Sequence, residues 1–298
     1  MAKPYIFIRD MPGRRSDLLD LVVEVEERGF PGVMSPSAGD NLALSLAVLD
    51  RTERIVVGTG ISNIYTRHPT EMAAVASLIE ELHPGRFILG IGVSHPPTHQ
   101  RLGVDTGRPL SDTRQYVEVM REVWAGSPHP KLMLAALRDR MTRLAGEISE
   151  GVMWANGVRS HMAHSLAQLP DGLPGDFIVS NVVPAAVDND RDAARERVRR
   201  ALINYLRLRN YQNYYEEAGY HEEVEMARQA IEAGDDHDGV LNVISDVMVH
   251  DICVYGTADD VRAGFQAWLD AGMTHMALSV AGDDYFTSVR ALMDAFDD

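Results

Sequence analysis

The amino-acid sequence predicts an α/β protein, a (β/α)₈ TIM barrel that forms a single domain over residues 1–298. Short apolar runs alternate with helical patterns along the chain, which is typical of parallel strands joined by crossover helices. The runs are nearly continuous in apolar residues, as expected for strands that are covered on both faces. Eight such units in 298 residues favour a closed barrel. An open doubly wound sheet is the alternative.

In the first half of the chain, apolar runs rich in β-branched residues predict four strands. They are Tyr5–Ile8, Gly32–Ser35, Arg54–Ser62 and Arg86–Gly92. Helices are predicted between them. The first follows a possible cap at Ser16 and stops at Gly29, the second covers Asn41–Asp50, and the third begins at Pro69 and runs to about Leu82.

In the second half, the same reasoning predicts four more strands, at Lys131–Leu137, Gly151–Trp154, Asp176–Ala186 and His275–Val280. Helices are predicted at Thr113–Trp124, Arg138–Ala145, Ser160–Gln168, Arg191–Arg209 and Asp259–Ala271, and the segment Arg290–Phe296 is expected to close the fold. A loop is expected from about His95 to Pro109. Between Arg209 and a turn at Val254–Thr257, we expect a helical insertion over about 210–253, before the eighth strand.

Composition excludes several classes of function. The net charge of −16 argues against a nucleic-acid partner and against an anionic membrane surface, because both need clustered Lys and Arg. The single cysteine, Cys253, allows no disulfide within the chain. The histidines are not at metal-ligand spacing, so no metal is expected. No apolar stretch is long enough to span a membrane and no secretory signal is apparent, which predicts a cytoplasmic protein.

A barrel of this kind carries its active site at the carboxyl ends of its strands. This rule, applied to the predicted strands, gives candidate positions at Ser35, Ser37, Gly60–Asn63, Gly92–His95, Ala135–Arg138, Trp154–Asn156 and Asn181–Pro184. The cofactor-binding candidates among them are Ser35, Ser37, Gly60, Ile61, Asn63, Gly92, Val93, Ser94, Ala135, Ala136, Leu137 and Arg138. Gly58, Gly60, Gly90 and Gly92 lie in or near two of the strand ends. Such glycines indicate either the close approach of a flat ring or tight packing between strands, and composition does not decide between them.

Charged and titratable candidates also follow predicted strands. His95 comes directly after the fourth strand, where an imidazole could exchange protons near neutral pH or simply bond to the backbone. Arg138 could add a positive charge at the site or form a surface ion pair. Asn189 or Asp190 could cap the next long helix and leave its first amides open to a phosphate. His68, before Pro69, is interpreted as structural.

Two segments of the chain together resemble the luciferase-like monooxygenase family, and within it the branch that uses the deazaflavin coenzyme F420. They are Gly58–Pro69 and Leu82–Ser94, with a further likeness at Ala145–Val152. The resemblance is clearest over residues 52–155. It implies a barrel with an insertion, a homodimer, and a cofactor ring at the barrel mouth.

The resemblance also implies roles for particular residues. In many deazaflavin members a non-prolyl cis peptide after the third strand supports the ring, and the matching bond here is Gly60-Ile61. Residues Gly92–His95 match positions near the ring and its phosphate linker. His95 stands where sugar-phosphate dehydrogenases of the family have a glutamate. Residues 34–37 stand where some members have an Asp-His pair, so a sugar-phosphate dehydrogenase is not expected.

The leading hypothesis is therefore hydride transfer between F420 and a small organic substrate, with His95 as acid or base and Ser37 as a polar contact to the ring. The first alternative is an FMN-dependent monooxygenase, which would need a partner flavin reductase. The second is a barrel that binds a cofactor or ligand without turnover. The residues that select a substrate lie in variable loops and in the insertion, and the sequence does not identify them.

Overall fold

The computed structural model describes residues 2–235 and 237–297. These residues form two structural units. The first, called here the N-terminal unit, contains residues 2–154 and 167–180. The second, called the C-terminal unit, contains residues 155–166 and 181–297.

The N-terminal unit is built on parallel strands. They are β1 (Tyr5–Phe7), β2 (Gly32–Ser35), β3 (Val56–Thr59), β4 (Ser62–Asn63), β5 (Phe87–Gly92), β6 (Lys131–Ala135) and β7 (Gly151–Ala155, whose last residue belongs to the other unit). Hydrogen-bonded neighbours follow the order β1-β2-β3-β5-β6-β7, and β4 pairs with β5. The strands are thus adjacent in chain order, as successive crossover connections require.

Six helices of the N-terminal unit connect these strands. They are α1 (Arg15–Glu27), α2 (Asn41–Arg51), α3 (Pro69–Leu82), α4 (Pro96–Leu102), α5 (Pro109–Trp124) and α6 (Asp139–Ile148). The bounds of α3 agree with the prediction because Pro69 fits its first turn. The ring nitrogen Nδ1 of His68 accepts the amide of Thr70 at 3.3 Å, so His68 caps this helix and its structural role is confirmed.

Three predictions for the N-terminal unit were wrong in detail. Ser16 does not cap α1, because it lies inside the helix, which begins at Arg15. The predicted strand Arg54–Ser62 is divided into β3 and β4, because the backbone leaves the ladder between Thr59 and Ser62. The predicted loop from His95 to Pro109 contains α4. Two prolines suit the first turn of this short helix, and Gly103 ends it in the left-handed conformation, with φ +63°.

The last three strands are β8 (Ile178–Val187), β9 (Val254–Gly256) and β10 (His275–Val280). They belong to the C-terminal unit, except for the first three residues of β8, which belong to the N-terminal unit. Strand β8 pairs with β9 in parallel and also pairs with β10. Its helices are α7 (Met162–Leu166, after a 3₁₀ turn at Arg159–His161), α8 (Arg191–Leu206), α9 (Arg209–Glu217), α10 (His221–Glu232), α11 (Asp238–Val243), α12 (Asp246–Ile252), α13 (Ala258–Asp270) and α14 (Tyr285–Asp294). Within the described ranges, no helix is long and apolar enough to cross a membrane.

The helical insertion is found where the sequence predicted it, as α9 to α12. Two other predictions for this unit were wrong. The predicted turn at Val254–Thr257 begins with β9, whose residues pair with Ala185–Val187. Asp190 caps α8, as predicted, but the amides of Asp192 and Ala193 are not open to a phosphate, because the Asp190 carboxylate accepts them at 3.0 and 3.1 Å.

The insertion holds the segment that follows β7. The hydroxyl of Tyr214 in α9 accepts the amide of Val158 at 2.9 Å, and both residues are buried. A carboxylate oxygen of Asp251 in α12 accepts the amide of Ser160 at 3.0 Å. Two side chains of the insertion therefore satisfy backbone amides that lie outside any α-helix or strand ladder.

Replacing Tyr214 by Phe should destabilise the protein by about 1–3 kcal/mol, because the buried Val158 amide loses its acceptor. Urea unfolding at neutral pH measures this change. Tyr255→Phe is the matched control, since the Tyr255 hydroxyl bonds to no other residue in the described part of the chain. A loss for Tyr214→Phe no larger than for the control would contradict the assigned role.

A buried carboxylate binds the backbone of the turn that leads into β3. Glu26, which is 8% exposed, accepts the amides of Glu53, Arg54 and Ile55 at 2.9, 2.6 and 3.1 Å. Burial by itself raises the pKa of Glu26, but the three amide bonds outweigh it and the pKa lies below its usual value. The ionised carboxylate therefore stabilises this turn.

For Glu26→Gln we expect a loss of about 1–3 kcal/mol at pH 7, because a neutral amide is a weaker acceptor than a carboxylate. The folded-state pKa of Glu26 is depressed, so its contribution is present above the ordinary value of 4.5 and disappears as pH falls through the folded-state pKa. Urea unfolding from pH 7 to pH 3 should show the difference from wild type shrinking. Glu27→Gln, on the exposed side of α1, is the control, and a difference that does not change with pH would refute the interpretation.

Candidate active site

The carboxyl ends of β2 to β6 lie side by side in the N-terminal unit. Ser35 pairs with Thr59, Asn63 with Gly92, and Ile91 with Leu134. The structure thus brings together the ends of four predicted strands, which the sequence had placed far apart along the chain. Among the described residues, no group of three or more His, Cys, Asp or Glu side chains could hold a metal ion.

A one-residue bulge separates β3 from β4. The chain advances four residues from Gly58 to Ser62, whereas their partners on β5 advance three, from Ile88 to Ile91. The Gly60-Ile61 peptide bond within the bulge is cis, at the position that the family resemblance implied. Bulges of this kind change the direction in which side chains point and are common beside active sites.

Asn41, at the start of α2, supports the bulge and was missed by the sequence analysis. Its side-chain amide donates to the carbonyl of Ile61 at 3.1 Å, and its side-chain oxygen accepts the hydroxyl of Ser62 at 2.9 Å. Asn41 is 6% exposed. Its sequence signal was weak, because an Asn after the capping Asp40 is ordinary for a helix start.

The glycines of the strand ends are explained by packing. A Cβ at Gly90 would lie 2.0 Å from the carbonyl oxygen of Thr59, and one at Gly92 would lie 2.7 Å from the Cβ of Ala135. Neither distance is possible without moving a strand. Of the two interpretations that composition left open, the close approach of neighbouring strands accounts for both residues, and no open space for a ring is needed to explain them.

Asn63 has an unsatisfied donor. Its side-chain oxygen accepts the amide of Tyr65 at 3.0 Å, but its side-chain nitrogen is buried and has no hydrogen-bond partner among the described residues. The residue is 6% exposed and lies beside Gly92. A buried donor without a partner is costly and requires an explanation, such as a bound ligand or water. Asn63 is therefore the predicted contact with the clearest capacity to bind a polar group.

The segment after β5 has a defined and unusual geometry. Ser94 adopts a left-handed backbone with φ +57°, and His95 is the partly buried residue that precedes α4. Burial, and to a smaller extent the neighbouring His99, lowers the pKa of His95. Its imidazole is accordingly neutral at pH 7 and can accept a proton.

The remaining predicted contacts differ in accessibility. Ser35 is fully buried, with its hydroxyl 3.5 Å from the carbonyl oxygen of Gly58, while its own carbonyl accepts the amide of Gly60 at 2.7 Å. Ser37 and Arg138 are exposed. Ala135, the last residue of β6, and Leu137 are partly buried, and Ala136 between them is buried.

Three further residues near the end of β5 were not singled out by the sequence. A ring nitrogen of His99 lies 2.6 Å from the carbonyl oxygen of Val93, and the rings of Tyr65 and His99 meet edge to face with centroids 5.3 Å apart. The Tyr65 hydroxyl donates to Asp112 at 2.7 Å. Tyr65 and Asp112 are 47 residues apart, so no local pattern could have joined them.

The family model for luciferase-like monooxygenases matches residues 8–275. The chain therefore belongs to the luciferase-like monooxygenase family, and it is an oxidoreductase. This confirms the family that the strand-end segments resemble.

Two curated relatives extend the comparison. A Mycobacterium tuberculosis protein, provisionally named as a coenzyme F420-dependent oxidoreductase, is 27% identical over 92% of this chain and 93% of its own length. The 5,10-methylenetetrahydromethanopterin reductase of Archaeoglobus fulgidus is 25% identical over 81% of this chain and 82% of its own.

Solved structures establish the fold. The coenzyme F420-dependent tetrahydromethanopterin reductase of Methanopyrus kandleri aligns with a TM-score of 0.76 at 18% identity, covering 99% of this chain and 98% of the other. An oxygenating component of 3,6-diketocamphane monooxygenase from Pseudomonas putida, in complex with FMN, aligns with a TM-score of 0.68 at 14% identity, covering 100% and 98%. The predicted (β/α)₈ TIM-barrel fold is confirmed.

Asn41→Ala should cost about 1–3 kcal/mol of unfolding free energy, because the Ile61 carbonyl and the Ser62 hydroxyl both lose a partner at a mostly buried position. Ser45→Ala is the control, because its buried hydroxyl bonds only within α2, to the carbonyl of Asn41 at 2.7 Å. Thermal and urea unfolding compare the two variants. If Asn41→Ala is no more destabilising than Ser45→Ala, then Asn41 does not support the bulge.

Proposed function

We propose that this protein is a coenzyme F420-dependent oxidoreductase that transfers a hydride between the deazaflavin and a small organic substrate. The observation that carries the proposal is the likeness, over 92% of the chain, to a relative named for F420-dependent oxidoreduction. A second relative, a methylenetetrahydromethanopterin reductase, supports it over 81% of the chain. The family resemblance further implies a homodimer, which stays a prediction.

One feature of the strand ends in the N-terminal unit supports a ligand with polar edges. Asn63 offers a buried donor that no described residue satisfies, and Gly92 lies beside it. We propose that the cofactor binds along this row of strand ends, at Ser35, Ser37, Gly60, Ile61, Asn63, Gly92, Val93, Ser94, Ala135, Ala136, Leu137 and Arg138. Ser35 would act indirectly, since it is fully buried and its carbonyl holds Gly60.

When bound, the deazaflavin supplies the hydride chemistry, and the protein supplies orientation and proton management. His95 is the proposed acid or base. Its pKa is lowered by burial, so the residue rests as a neutral imidazole that can take up a proton from the substrate. In the opposite direction of reaction, the protonated ring would return that proton.

A flavin cofactor is the second candidate. The FMN complex of the diketocamphane monooxygenase component shares the fold over the whole chain and motivates this alternative. An FMN-dependent monooxygenase would need a partner reductase, whereas an F420-dependent enzyme would not. A barrel that binds either cofactor without turnover is the remaining possibility, and it predicts binding with no reaction across a broad substrate panel.

Fluorescence titration of the purified protein with F420 and with FMN tests the proposal. We expect F420 to bind, and Asn63→Ala to weaken F420 binding roughly three- to tenfold, because one hydrogen bond to the ligand is lost. Asn242→Ala, at an exposed position on α11, is the matched control and should bind like wild type. Tight binding of FMN without binding of F420 would overturn the F420 assignment, and unchanged affinity in Asn63→Ala would remove Asn63 from the site.

A further inference from the structure

Helix α4 has no apolar anchor. None of its seven residues, Pro96–Leu102, is fully buried. A helix this short is marginal without tertiary packing, so polar bonds must hold it against the rest of the N-terminal unit. The position of α4 matters because the proposed acid or base, His95, directly precedes it.

The side chain of His99 provides a polar bond that joins α4 to the end of β5. Its ring nitrogen Nε2 lies 2.6 Å from the carbonyl oxygen of Val93, the first residue after the strand. A carbonyl oxygen only accepts, so Nε2 carries the hydrogen in this bond. The backbone of His99 also donates to the carbonyl of His95 at 3.2 Å and accepts the amide of Val104 at 3.1 Å.

The other side of the His99 ring is held by Tyr65. The two rings meet edge to face, with centroids 5.3 Å apart and planes 82° apart. Tyr65 is itself fixed at both ends, because its hydroxyl donates to Asp112 and its amide donates to the side chain of Asn63. His99 therefore connects two strand ends, that of β5 through Val93 and that of β4 through Tyr65 and Asn63.

We propose that His99 is a positioning residue, which fixes Ser94 and His95 relative to Asn63 by holding the Val93 carbonyl. The contact between His99 and Val93 does not depend on the proposed function. The consequence of that contact, that cofactor and substrate bind a preformed site, rests on the proposed function. His99 is not assigned contact with the reacting atoms.

The experiment compares His99→Phe with His99→Gln. Phenylalanine keeps an aromatic ring against Tyr65 but cannot donate to the Val93 carbonyl, whereas the glutamine side-chain amide can. His129→Phe is the matched control, because His129 is an exposed histidine stacked on Trp124 just before β6, at the amino end of that strand. Two quantities are measured for each protein. The first is hydrogen exchange without ligand at the four backbone amides of residues 94–99, since Pro96 and Pro97 have none. The second is F420 affinity by fluorescence.

In His99→Phe, we expect exchange at residues 94–99 to accelerate and F420 binding to weaken, each roughly three- to tenfold, which is the effect of losing one hydrogen bond. His99→Gln should recover most of both, and His129→Phe should match wild type. A merely structural role would lower thermal stability in His99→Phe and His99→Gln alike, without this recovery.

The outcomes separate the two proposals. If wild type binds neither F420 nor FMN, the proposed function fails, while the exchange measurement on the free protein still tests His99. If exchange at residues 94–99 in His99→Phe equals that of wild type, the positioning role is wrong whatever the cofactor result. If exchange accelerates but F420 affinity is unchanged, His99 orders α4 without serving the site, and the proposal is overturned.

Discussion

The contact between Thr59 and Gly90 determines how the candidate site is built. The Thr59 hydroxyl donates to the carbonyl of Gly90 at 2.7 Å and accepts the amide of the same residue at 2.9 Å. One side chain thus satisfies both backbone groups of Gly90 where β3 leaves the ladder. The contact requires glycine, because a Cβ there would lie 2.0 Å from the Thr59 carbonyl oxygen. With the ladder satisfied in this way, β3 can gain an extra residue while β5 continues without a break.

That extra residue explains the arrangement of the polar groups beyond it. Side chains of a strand alternate between two faces, so one inserted residue reverses the faces of everything that follows. Ser62 and Asn63 resume pairing with Ile91 and Gly92, and Asn63 is turned to the face opposite to the one it would have in an unbroken strand. The face to which Asn63 points is therefore a consequence of the bulge, and Thr59, Gly90 and Asn41 support that bulge.

The sequence predicted those parts of the fold that local chemistry determines. The helix Pro69–Leu82 has a proline in its first turn and an apolar stripe, and the strands Gly32–Ser35 and His275–Val280 are bounded by turn residues, so their limits agree with the structure. The errors occur where contacts between residues distant in the sequence determine the local structure. The division of Arg54–Ser62 depends on Asn41 and Ser35, the helix α4 has no apolar stripe to detect, and β9 exists because β8 pairs with it.

The same difference between local patterns and distant contacts applies to the candidate site. The segments that end β4 and β5 were identified because their strand motifs are local and specific. Asn41, His99 and Asp112 were not identified, because the spacing between each of them and its partner matches no helix or strand period. Asn41 lies 20 residues from Ile61, His99 lies 6 from Val93, and Asp112 lies 47 from Tyr65. A lone polar residue on a helix is more often exposed to solvent than bonded to another part of the chain, so its residue type alone did not indicate a role in the site.

These missed residues share one structural property. Asn41 begins α2, His99 lies in α4 and Asp112 lies in the first turn of α5, so each belongs to a helix that contributes one polar side chain to the end of a neighbouring strand. The strands position the backbone of the site, and polar side chains from the helices fix how that backbone continues beyond the strand ends. A glycine-bearing strand end is therefore poor evidence for a ligand in this fold, since Gly90 and Gly92 are required by packing alone. The feature that favours a ligand is instead Asn63, whose side-chain oxygen accepts the amide of Tyr65 while its buried amide nitrogen lacks an acceptor among the described residues.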